Sequence, residues 1–146
     1  MISFENEFFL LKQFLIPEKQ NRYKVLLKNN RNKILTRLHH KFKDDVIQTN
    51  KIPFTLRGHP STYETQIKEL IKRCDNKAIY SNWSLIAGDS EFDRCIFDLS
   101  NTLSLIANGG SSVIALCIDR PILFYKAEEG IPTYMAIFST ASKGTV

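Results

Sequence analysis

The chain has 146 residues, 43% of them hydrophobic and 24% charged, a composition that suits one soluble globular domain and excludes a wholly disordered chain. Its net charge of +5 is unevenly placed: residues 17–43 hold nine Lys or Arg against Glu18 alone, so the remainder is net acidic. Three cysteines at 74, 95 and 117, an odd number without a CxxC pair, argue against a disulfide framework or a cysteine zinc site and for a reducing, cytoplasmic compartment.

The opening "MISFENEFFLLKQFL" carries Glu5 and Glu7 where a signal peptide would carry basic residues, and no apolar run reaches the roughly 18 residues of a membrane span. No membrane partner is expected. Ser3 is placed to cap a first helix. Phe4, Phe8, Leu11 and Leu15 follow at spacings of four, three and four, a single apolar stripe that Phe9, Leu10 and Phe14 widen. A helix this apolar is covered either by its own core or by a second subunit, and self-association through Phe4, Phe8, Leu11 and Leu15 is the expectation.

Pro17 suits the first position of a second helix, "PEKQNRYKVLLK", with Tyr23, Leu26 and Leu27 inward. Asn29 and Asn30 break it. The third helix, "RNKILTRLHH", buries Ile34, Leu35 and Leu38. Lys33, Arg37 and Lys41 stand four apart and are expected to form a ridge on its outer face, suited to nucleic acid or another acidic partner. Residues 43–60, with Pro53, Gly58 and Pro60, read as a connection with little regular structure. "STYE", 61–64, reads as a capping box for a helix that buries Ile67, Leu70 and Ile71.

Beyond Asp75 and Asn76 the pattern changes. "KAIYSNW" is a strand candidate and "DLSNTLSLIANGG" a helix, with Leu99, Leu103 and Ile106 inward and glycines at its end. "SSVIALCI" is apolar on both faces, hence a central strand. "ILFYKA" and "TYMAIF" are two more. Because a helix crosses between them, the first strand and "SSVIALCI" are expected to be parallel, with an antiparallel meander after them. The fold class is α+β: N-terminal helices packed with a mixed, mostly antiparallel sheet of about four strands, in the order helices, then β-α-β-β-β. Residues 1–140 form a single domain on this reading, with a basic helical part at 1–43 and a helix plus the sheet at 61–138. Residues 141–146 are a flexible tail or a cloning scar.

The acidic loop "GDSEFD" tests the reading most sharply. On an extended strand Asp89, Glu91 and Asp93 share one face, about 6–7 Å apart, too far for all three to reach one magnesium ion. Convergence with Glu128 from a neighbouring turn would change that. "NGGSS", 108–112, has the wrong polarity for a phosphate cradle, since its glycines follow a helix and precede a strand. His39 and His40 are adjacent and point about 100° apart on a helix, and His59 stands alone. Cys117 is a mid-strand thiol, Cys74 lies at a helix C-terminus, and Cys95 follows Arg94.

The C-terminal half resembles a group of small uncharacterised bacterial proteins. The matching pieces are "AIYS" (78–81), Asp93 in the loop, and "ALCIDRPILFYKAEEG" (115–130), where Cys117, Tyr125 and Glu128 fall on the pattern. The turn departs from it, with Asp119-Arg120-Pro121 in place of proline-glycine-arginine. The resemblance implies the fold and a bacterial origin and carries no chemistry. No nucleophile, base and orienting group stand together, so no catalytic, metal-binding or cofactor-binding residue is assigned and no cofactor is expected. The leading expectation is a non-enzymatic cytosolic interaction protein that self-associates. The alternative is a nucleic-acid-binding protein using the basic helices. A further alternative is a metal-dependent hydrolase or nuclease using Asp89, Glu91, Asp93 and Glu128.

Overall fold

Alternation within single strands sets the architecture. In "VIALC", Ile114 and Leu116 face one way and Val113, Ala115 and Cys117 the other, and all five are buried. A strand buried on both faces needs a helical layer on each side. The computed structural model, which describes residues 1–39, 41–47, 51–108, 112–127 and 135–139, shows that arrangement.

The helices are α1 (Phe4–Lys12), α2 (Pro17–Asn29), α3 (Arg31–Thr36), α4 (Phe42–Asp45), α5 (Tyr63–Cys74) and α6 (Leu99–Asn108). The strands are β1 (Lys51–Pro53), β2 (Asn82–Ala87), β3 (Ile96–Asp98), β4 (Val113–Cys117), β5 (Ile122–Lys126) and β6 (Met135–Ser139). They form one sheet in the order β1-β6-β5-β4-β2-β3, with every neighbouring pair antiparallel. One face packs Ile86, Ile114, Leu116, Leu123 and Tyr125 against the N-terminal helices; the other packs Trp83, Leu85, Ala115 and Phe124 against the side of α5 and α6. The protein is α+β.

Local signals hold at several places. Ser3 accepts from the Asn6 amide as the cap of α1, and Pro17 opens α2. Asn30 ends α2 and caps α3 by accepting from the Lys33 amide. Leu99, Leu103 and Ile106 are the buried side of α6.

Other expectations are corrected. "KAIYSNW" is a 3-10 turn at Ala78–Tyr80 followed by β2, so the strand begins later and runs on to Ala87. The expected capping box is not formed: Thr62 stands at the cap of α5 without a side-chain bond to a helix amide, and the His59 ring accepts the Ser61 amide one turn earlier. The connection at 43–60 contributes β1, which pairs with β6. The third helix ends at Thr36 and tightens into a 3-10 turn at Arg37–His39.

The largest correction concerns direction. The strand that feeds α6 is β3, a return strand of three residues. That single reversal makes β2 and β4 antiparallel, not parallel. The crossover rule still holds, but it links β3 to β4, with β2 lying between them. Among the described residues no helix is long and apolar enough to cross a membrane. The glycines at 109 and 110, Glu128 and the tail from 141 lie outside the described residues.

Candidate functional site

The basic run divides into charges used inside the fold and charges presented outside it. Arg31 opens α3 and lies between two carboxylates. Its Nη2 donates to Glu7 Oε2 at 2.7 Å and its Nη1 donates to Glu7 Oε1, while Nε and Nη2 donate to Asp93 at 2.8 and 2.9 Å. Asp93 also accepts the Ala87 amide at 3.0 Å. Burial works to lower the Arg31 pKa, but the hydrogen bonds and charges of Glu7 and Asp93 outweigh it and raise it. Glu7 is 0% exposed and has no water to fall back on. This clamp ties α1, α3 and the β2–β3 loop together. The next residue of the loop, Arg94, is in the left-handed region at φ 65°, and its Nη2 donates to the Ile2 carbonyl at 2.8 Å.

Arg37 makes the second clamp. Its Nε and Nη2 donate to Asp45 Oδ2 at 2.9 and 2.7 Å, and the Tyr23 hydroxyl donates to the same oxygen at 2.5 Å. Burial raises the Tyr23 pKa, and the Asp45 carboxylate raises it further. The expected ridge of Lys33, Arg37 and Lys41 is therefore not a surface feature. Lys33 and Lys41 are exposed, but Arg37 is turned inward, and Lys41 lies past the end of the helix that was to align it.

The acidic residues do not gather. Asp89 accepts the Glu91 amide at 2.9 Å as the start of a tight turn, Glu91 is exposed, and Asp93 is committed to Arg31. Glu128, the fourth member of the expected set, lies outside the described residues. Among the described residues no group of three His, Cys, Asp or Glu could hold one metal ion. A serine–histidine contact does occur, with His59 Nδ1 2.9 Å from Ser61 Oγ. The same nitrogen accepts the Ser61 amide, so the ring is capping a turn in the open. At the far end of the sheet the Ser81 hydroxyl and the Cys117 thiol hold the Asp119 carboxyl below its usual range, while burial pushes the Cys117 thiol up and makes it a poor nucleophile.

The self-association set splits as well. Leu11 and Leu15 are buried in the protein's own core, and Phe4 and Phe8 pack partly against it. What remains outside is a seam between α1 and α2. Lys28 Nζ lies 5.9 Å from the Phe4 ring centre and Lys24 Nζ 5.8 Å from that of Phe8; one turn on, the Gln20 amide donates to the Lys12 carbonyl. Lys12 Nζ in turn lies 5.7 Å from the ring of Phe9, which is 67% exposed. Phe4, Phe8 and Lys12 recur every four residues along α1, as Gln20, Lys24 and Lys28 do along α2, so the antiparallel pair forms a ladder. Among the described residues none of Lys12, Lys24 and Lys28 forms an ion pair with an acid, whereas Lys19 lies 3.9 Å from Asp45.

No family model, curated protein or solved structure matches this chain. Lys12, Lys24 and Lys28 stand at regular spacings in the sequence. Their spacing was visible, but which helix faces which was not.

Proposed function

We propose that the protein is a non-enzymatic binding protein of the cytoplasm that takes an acidic partner on the outer face of α1 and α2. One observation carries the reading: a row of lysines, each resting on a phenylalanine ring and none, among the described residues, ion-paired with an acid. Ammonium groups without partners attract anions and speed encounter with them. The ionisable groups that the fold does gather, Glu7 with Arg31 and Asp93, and Tyr23 with Arg37 and Asp45, are occupied with one another in the interior. Neither set leaves a base beside a free nucleophile. The three free thiols, Cys74, Cys95 and Cys117, support a reducing compartment.

The same charge weighs against a second copy as the occupant. A symmetric pair on this face would bring two rows of lysines, each made of Lys12, Lys24 and Lys28, against one another. Leu11 and Leu15, which were to make the apolar centre of such an interface, already serve the core.

The test is binding to poly-glutamate, heparin and a labelled oligonucleotide at several salt concentrations. At least one is bound at low salt, and Lys12→Gln/Lys24→Gln/Lys28→Gln abolishes that binding without changing the fold. Failure to bind any of the three, or binding that survives the triple change, refutes the reading.

A further inference from the structure

Resting on that reading, we infer that the partner is single-stranded nucleic acid, bound along the α1–α2 seam with little regard to sequence. An acidic peptide asks only for cations. This face offers cations in alternation with aromatic rings, which is what a strand with both phosphates and unpaired bases requires. The array is also linear. Successive rungs are four residues apart on each helix, so they repeat at about 6 Å along the pair. Phe4 with Lys28 and Phe8 with Lys24 are two such rungs, and Lys12 leads on to Phe9.

Each lysine that now leans on a ring can swing off it to a phosphate and open that ring to a base. Phe9 needs no such exchange, since most of its surface is already open. Phenylalanine rings stack on any base and lysine ammonium groups meet any phosphate, so sequence is not read. A duplex fits less well, because its bases are stacked on one another and their faces are not on offer.

The experiment uses the full chain, fluorescein-labelled oligo(dT) and oligo(U), the matching duplex, and poly-glutamate, read by anisotropy. Both single strands are expected to bind more tightly than the duplex. With Lys12, Lys24 and Lys28 each meeting one phosphate, log affinity should fall with log salt at a slope of about −2.1, from about −0.7 per contact for single strands. Phe9→Ala should weaken oligonucleotide binding about 5-fold to 150-fold, the range for one lost stacked base, and leave poly-glutamate binding unchanged. Phe9→Trp places a fluorophore beside Lys12, and its emission should be quenched by either oligonucleotide and not by poly-glutamate. Poly-glutamate bound at low salt with no oligonucleotide binding overturns this inference and leaves the acidic-partner reading standing. So does oligonucleotide binding that is indifferent to Phe9→Ala and leaves the introduced tryptophan unquenched. Absence of binding to every polyanion removes both.

Discussion

Replacing Arg31 by Met is the change that should most disturb this fold for its size. The methionine keeps an unbranched stem of similar length, so packing alters little. What goes is a guanidinium making four N–H···O contacts to Glu7 and Asp93. The two carboxylates then fare differently. The Asp93 side chain is 21% exposed and keeps the Ala87 amide, so water can solvate it. Glu7 is fully buried and is left with a charge and no counter-ion. Breaking a buried pair in this way costs about 3–5 kcal/mol. At a urea slope of about 2 kcal/mol per molar, the midpoint should fall by about 1.5–2.5 M. Trp83, the only tryptophan and fully buried, reports unfolding by its emission. The double change Arg31→Met/Glu7→Leu removes the stranded charge and should recover at least half of the loss, since an apolar replacement of a buried pair is often near neutral. A loss below about 1 kcal/mol, the range of exposed ion pairs, or a double variant no better than Arg31→Met, would show that the clamp is not what holds α1 to the β2–β3 loop.

Phe42→Ala should cost about 3–5 kcal/mol by the same urea assay, because Phe42 is buried edge-on to both Tyr23 and Tyr125; a near-neutral result would mean that α4 does not seal this face of the sheet. Burial raises the Tyr23, Tyr125, Cys74 and Cys117 pKa values above their ordinary 10.0 and 9.0. Each therefore contributes stability that is complete below its unfolded pKa and is lost as pH rises toward its folded one. The urea midpoint should hold up to about pH 9 and fall beyond it, most steeply past pH 10; a midpoint that stays level through pH 10 and above contradicts this. Calorimetric titration with magnesium, manganese or calcium should give no specific heat, because Asp93 is held by Arg31 and Asp89 by its own turn. A specific signal abolished by Asp89→Asn would restore the acidic loop as a metal site.

Sequence by itself determined what depends on near neighbours. Ser3, Pro17 and Asn30 mark helix ends because a cap or a missing amide acts within one turn. Leu99, Leu103 and Ile106 mark the buried side of α6, and the unbroken apolar run around Ile114 marks a central strand, because both repeats are written in consecutive residues. Only the tertiary structure decided what depends on partners far along the chain. The strands β1 and β3 are three residues each, too short to show a period, and they exist because β6 and β2 offer edges to pair with. Missing β3 reverses the direction assigned to β4, since one unseen turn inverts the next strand. The fate of each charge is likewise a matter of partners. Arg31 and Arg37 look no different in sequence from Lys24 and Lys28, yet Glu7, Asp93 and Asp45 draw the arginines inward. A planar guanidinium with five donors can satisfy two acids in the interior, whereas an ammonium is more strongly hydrated and remains at the surface, here resting on the rings of α1.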